Sequence, residues 1–152
     1  MKKVLLISLV VLTLTLVLVS CATTTAFKFT PEPGGKSIAV SSGAGQGFAK
    51  NKGDIIIPDS YEIVVANKIS VLAPVTSIAD RGFQQEEEIT GVTIPTSIKT
   101  IGSYAFAGCT SLATIRFEGT VAEWKAIKKG RHWNQDVPAT EVICYNGTVT
   151  LK

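Results

Sequence analysis

Apolar residues return along this chain at a fixed interval. Moved by 23 positions, Ile69 falls on Val92, Val71 on Ile94, Val75 on Ile98, Ile78 on Ile101 and Phe83 on Phe106. The same shift carries Ile89 onto Leu112, Val92 onto Ile115 and Ile94 onto Phe117. Locally the pattern is that of a half-buried strand, as in Val92-Thr93-Ile94 and Ile115-Arg116-Phe117. The apolar pair shares one face and the residue between them takes the other. A period in the twenties is that of a repeat solenoid. Each unit is a short strand with a tight return, too small to bury its apolar face until the next unit stacks on it. The expected fold is therefore a mostly β solenoid of α/β type, with Ile89–Phe117 as its best-formed stretch.

Residues 1–20 read as a targeting segment. Lys2 and Lys3 form a positive start, and Val4–Val19 is apolar except for Ser8, Thr13 and Thr15. That run is shorter than the roughly 20 residues a spanning helix needs. Leu18-Val19-Ser20-Cys21 closes it and resembles a bacterial lipobox, in which the cysteine is acylated and becomes the mature N-terminus. Acyl chains anchor by burying methylenes at about 0.8 kcal/mol each. Residues 21–53 follow as a tether rich in Gly and Pro, with Pro31, Pro33, Gly34 and Gly35 as breakers. Phe27, Phe29, Ile38 and Val40 predict one or two short strands that cap the first repeat. Gly43-Ala44-Gly45-Gln46-Gly47 lacks the preceding buried strand, the Lys-Ser/Thr ending and the following helix of a phosphate loop.

Residues 54–117 are the predicted solenoid. Asp54–Ile57, Tyr61–Ala66 and Lys68–Ala73 are Ile- and Val-rich strand candidates. Pro74–Phe83 reads as a return segment, and Glu86, Glu87 and Glu88 as an exposed turn. Pro95 ends a strand without needing a donor, and Gly102 suggests a tight or left-handed turn. Residues 118–152 leave the repeat and predict a capping module. Thr120 and Glu123 form a capping box for a helix carrying Val121, Trp124 and Ile127 on one face and stopping at Gly130. Trp124 is expected to press on the last coil. Glu141–Cys144 and Thr148–Leu151 flank Asn146-Gly147, a hairpin signal.

Ile94-Pro95, Ile98, Ile101-Gly102, Ala105-Phe106, Gly108-Cys109 and Leu112 together resemble the BspA-type leucine-rich repeat of bacterial surface proteins. Phe117–Thr120, Glu123-Trp124, Ile127, Trp133, Val142, Cys144 and Asn146-Gly147 resemble the C-terminal module that often ends such arrays. This resemblance implies a binding module, directed at an unidentified protein or matrix ligand in adhesion or host-cell contact. Strand alternation then makes Thr93, Lys99, Thr114 and Arg116 the ligand-facing candidates. A structural or assembly lipoprotein facing the periplasm is the alternative. Ala22 stands where, in lipoproteins of diderm bacteria, an Asp often signals inner-membrane retention. The resemblance thus favours the outer membrane or cell surface.

Charge changes this picture little. The chain has 15 basic and 12 acidic residues, and without Lys2 and Lys3 the balance is 13 to 12. No concentrated basic face of a nucleic-acid binder emerges. Lys125, Lys128, Lys129 and Arg131 are expected at a helix C-terminus, where the helix dipole favours cations. Cys21, Cys109 and Cys144 fit no zinc or redox spacing, and Cys109 and Cys144 read as buried thiols. His132 stands in a polar loop without a nucleophile motif nearby. The expectation is a non-enzymatic protein with no catalytic residue, metal site or cofactor, held at a membrane through a lipid on Cys21.

Overall fold

The computed structural model describes residues 27–34, 36–43, 51–65 and 69–151. The targeting segment, Cys21 and most of the Gly43–Gly47 stretch lie outside the described residues.

The coil is built from two sheets and a column of turns. β3 (Gly53–Ile56), β6 (Ile89–Ile94), β8 (Thr114–Phe117) and β10 (Glu141–Cys144) lie parallel, with β11 (Gly147–Thr150) antiparallel at the end. On the other side β2 (Ile38–Ser42), β5 (Ile69–Ile78), β7 (Thr100–Ile101) and β9 (Lys128–Lys129) lie parallel. β1 (Phe27–Pro31) pairs with β2, and β4 (Ser60–Val65) with β5, both antiparallel. The registers Val92↔Ile115, Ile94↔Phe117 and Ile78↔Ile101 reproduce the 23-residue shift. The shift fails earlier. Val92 is flanked by Ile55 of β3, while Val71 pairs with Ile63 in the β4–β5 hairpin. The hairpin is an insertion between the first strand of its coil and the return, so the first repeat is longer than the period.

The third side is a stack of turns joined by backbone hydrogen bonds. The N–H groups of Arg81, Phe83 and Gln85 donate to the carbonyls of Ser103, Ala105 and Ala107. Those of Tyr104, Phe106 and Gly108 donate to Arg131, Trp133 and Gln135. Left-handed residues recur in register: Arg81, Tyr104 and His132 at φ 54°, 57° and 53°, then Gln85, Gly108 and Asp136 at 60°, 75° and 59°. Gly102 is not among them. It is needed because a Cβ there would strike the backbone of Ala79 and Asp80 in the preceding coil, so it serves close approach and not a turn.

Side chains from all three sides meet in one core. Val40, Ile55, Val75, Phe83, Ile94, Ile101, Phe106, Leu112, Ile115 and Val142 are fully buried. An aromatic spine runs along it: Phe27 to Phe83 at 6.0 Å, Phe83 to Phe106 at 5.3 Å, Phe106 to Trp133 at 6.4 Å, Trp133 to Trp124 at 5.8 Å and Trp124 to Phe117 at 5.5 Å. Each ring fills the space between successive coils, the most apolar area one residue can remove from water. The spine starts in β1 and passes through Trp124 of the C-terminal helix before ending on Phe117 of β8, so both ends of the solenoid are covered. The segment read as a tether that yields strands supplies the first cover, with Ile38 and Val40 in the core.

The C-terminal helix and hairpin are present, with three changes. The helix α1 (Val121–Ala126) carries the capping box between Thr120 and Glu123 and buries Trp124. It ends at Ala126, and Lys128 and Lys129 form β9, so the basic cluster does not sit together at a helix C-terminus. Gly130 is no helix stop. A Cβ there would collide with the backbone of Gly102 and Ser103. The hairpin register pairs Cys144 with Gly147, so Tyr145-Asn146 make the corner. Asn146 instead ties the helix down, its Oδ1 accepting from the Val121 N–H at 2.8 Å.

Candidate binding surface

Alternation on the parallel strands puts Ile55, Val92, Ile94, Ile115, Phe117, Val142 and Cys144 inward. What remains outward forms rows across the five-stranded sheet. Ile56, Thr93, Arg116, Ile143 and Thr148 follow one another in register through β3, β6, β8, β10 and β11. Asp54, Gly91 and Thr114 form a neighbouring row, and Glu141 pairs with Thr150. At ordinary strand spacing, five strands present a face roughly 19 Å across. Ile56 and Ile143 are 67% and 40% exposed, unusual for isoleucine on a small domain.

Thr93, Thr114 and Arg116 therefore share this face, as the alternation predicted. Lys99 does not join them. It lies in the turn between β6 and β7, its Nζ donating to the Thr96 carbonyl at 2.9 Å. Sequence reasoning missed Ile56 and Ile143, the two apolar members of the row. The signal was present in Asp54-Ile55-Ile56-Ile57, where alternation around the buried Ile55 exposes Ile56. It was obscured because the 23-residue shift set Val71, and not Ile57, opposite Ile94.

The face is mixed in charge and open. Asp54 Oδ1 accepts from the Thr90 hydroxyl at 2.9 Å. Among the described residues Arg116 makes no ion pair, so its guanidinium is available for bidentate contact with a carboxylate.

The remaining reactive groups are committed elsewhere. Glu86 is buried, not an exposed turn residue, and its Oε1 accepts from the Ser42 hydroxyl at 2.5 Å, while Glu87 and Glu88 are exposed. Cys109 and Cys144 are buried free thiols. The Cys109 Sγ donates to the Phe83 carbonyl at 3.0 Å, and burial pushes its thiol up to about 12. Burial also raises Cys144. Lys129 donates to the carbonyls of Trp124 and Ile127 and sits 4.5 Å over the Trp124 ring, with burial lowering its pKa. It fastens the end of α1 to β9. His132 is exposed and stacks on Tyr104 at 5.3 Å. Among the described residues no group of His, Cys, Asp and Glu is arranged to hold a metal ion.

The stacked coils, the turn column and the strand registers agree with a family model, the BspA type leucine rich repeat region, which matches in 6 copies across residues 55–127. This stretch is a BspA-type leucine-rich repeat region. Solved structures agree on the fold of the leucine-rich repeats. A leucine-rich repeat protein of T. pallidum aligns at TM-score 0.50 and 20% identity, over 77% of this chain and 46% of its own. A leucine-rich cell surface protein of Faecalibacterium prausnitzii gives 0.52 and 20%, over 82% of this chain and 32% of its own. A leucine-rich repeat protein of Bacteroides capillosus gives 0.52 and 18%, over 80% and 97%. The chain thus spans less than half the length of the first two. No curated protein sequence matches it. At these identities the solved structures establish a shared leucine-rich repeat fold and no shared ligand.

Proposed function

We propose that this protein is a lipid-anchored envelope protein, exposed at the cell surface, whose leucine-rich repeats bind a protein ligand through the outer face of the five-stranded sheet. The observation that carries the reading is the row Ile56–Thr93–Arg116–Ile143–Thr148, two exposed isoleucines with the Thr93 hydroxyl and the Arg116 guanidinium between them and Thr148 beyond. Aromatic or apolar anchors beside an Arg are the composition of an interface centre. The lipobox-like Leu18-Val19-Ser20-Cys21 supports the anchor, with Cys21 as the acylated residue and the tether lifting the repeats from the bilayer. The fold has a precedent at a cell surface in the F. prausnitzii protein.

Photo-crosslinking in cells tests the reading. A crosslinking residue at Thr93 or Arg116 should capture the same protein, identified by mass spectrometry, while one at Glu62 on β4 should not. Arg116→Glu in the Thr93 background should remove the adduct. Adducts equally strong at all three positions, or none at Thr93 and Arg116, would remove the sheet face from consideration.

A further inference from the structure

Hairpin β4–β5 stands outside the periodic coil, and its base is fixed in the core. Tyr61 and Ala73, paired across the two strands, are buried, and Tyr61 stacks on Phe29 of β1 with ring centroids 4.1 Å apart. Further out the hairpin meets solvent. Leu72 is 68% exposed and Val71 is 50% exposed. As neighbours on one strand they take opposite faces, so apolar surface is open on both faces of the hairpin. The register goes on with Ile63 beside Val71, Val64 beside Ser70 and Val65 beside Ile69. Within Tyr61–Val65 and Ile69–Ala73, Glu62 is the one charged residue. Among the described residues β4 pairs with β5 alone, so no further strand flanks it.

We propose that this hairpin is a second contact with the bilayer, its outer end lying among the lipid headgroups and upper acyl chains. The contact goes beyond the sheet-face reading and rests on the lipid-anchored part of it, which brings the bilayer near. A protein laid on one face of a hairpin leaves the other face in water. Exposed apolar side chains on both faces are covered by a medium that surrounds them, and a lipid surface does so. The bilayer is within reach. Phe29, which stacks on the hairpin's base, follows Cys21 by eight residues, at most about 29 Å of chain. From the Tyr61–Ala73 pair to the Val65–Ile69 pair the hairpin extends roughly 14 Å, at about 3.4 Å per residue. Its backbone limits the depth. The outer edge of β4 presents N–H and C=O groups that the hydrocarbon core leaves unsatisfied and the hydrated interface satisfies. Insertion therefore stops at about 5–10 Å, with Glu62, opposite Leu72, at the headgroup level. A lipid tether alone sets distance from the membrane. A second contact fixes orientation, and with it the direction in which the five-stranded sheet is presented.

The test uses the full chain, purified from membranes and reconstituted on phosphatidylcholine vesicles, with the environment-sensitive dye NBD on Val71→Cys. Cys109 and Cys144 are buried and stay unlabelled in the native protein. The same dye on Arg116→Cys, on the sheet face, is the reference. Emission at Val71 should shift to the blue. Phosphatidylcholine spin-labelled near the top of its acyl chain should quench it at least twofold more than the dye at Arg116. Adding Leu72→Glu, at an exposed position, should remove both signals while near-UV circular dichroism stays that of the wild type and the chain still sediments with the vesicles. A Val71 dye that stays in water on a vesicle-bound chain overturns the proposal. So does a blue shift without spin-label quenching, which marks a protein contact in place of lipid. The anchor is read separately, as loss of sedimentation in Cys21→Ala. If Cys21→Ala sediments as the wild type does and its Val71 dye is quenched, the acyl-anchor reading fails while the hairpin contact stands.

Discussion

Phe106 shows how much of this fold rests on single side chains. It is fully buried between the stacked ring of Phe83 and the edge of Trp133. Phe106→Ala leaves a cavity between two coils and should cost about 3–5 kcal/mol, measured by urea denaturation with unchanged slope. Cys109 gives a second test at this scale. With its pKa pushed up to about 12, on the order of one native molecule in 10⁴ carries a thiolate there at pH 8. Ellman's reagent should therefore label Cys109 at least a hundredfold more slowly in native than in urea-unfolded protein. The folded state holds this proton more tightly than an unfolded thiol, which titrates near about 8.5. Its contribution to stability is therefore present below that value and is lost as pH rises toward about 12. Both core roles were legible, Phe106 because the 23-residue shift sets Phe83 on it and Cys109 because a cysteine is among the most often buried residue types, although the same shift sets Glu86 on Cys109. Glu86 was not legible. Its burial depends on Ser42, 44 residues away on the capping strand β2, and no local pattern records such a partner.

At the scale of elements, the helix was readable to its first turn and misread at its last. The Thr120 and Glu123 capping box is a local code, satisfied by the Glu123 N–H to Thr120 Oγ and the Thr120 N–H to Glu123 Oε2. Thr120→Ala should cost about 1 kcal/mol, read as a fall in melting temperature. The end of α1 is set by tertiary pairing. Lys128 and Lys129 are good helix formers, yet they are drawn into register with Thr100 and Ile101. Gly102 and Gly130 let these returns approach one another, and Gly102→Ala should cost about 1–3 kcal/mol through overpacking, measured by the same denaturation. In the same way the 23-residue shift misplaced Ile69 and Val71, because hairpin β4–β5 repeats the composition of a coil strand without its position. Composition and period locate strands; which neighbour a strand takes is decided by the whole coil.

For the whole molecule, a short array stays folded because both open ends are covered, by β1–β2 before the first coil and by α1 with β10–β11 after the last. The first cover is pinned through Glu32, whose carboxylate accepts from the hydroxyls of Ser37, Ser77 and Thr76. The bonds to Ser37 and Ser77 hold its pKa below the usual carboxylate range. A depressed carboxyl contributes stability above its unfolded value and loses it as pH falls through its folded one. Acidification should loosen β1–β2 first, and Glu32→Gln should flatten that part of the acid melting curve. Where the repeats face, and what holds them there, is reached most directly by proteolysis of intact cells producing wild-type or Cys21→Ala protein. Added protease should remove the repeats of the wild-type protein without lysing the cells, and Cys21→Ala should release the protein from the membrane fraction. Repeats cut only after the envelope is opened, or a Cys21→Ala protein that stays equally membrane-bound, would contradict a lipid-anchored, outward-facing repeat.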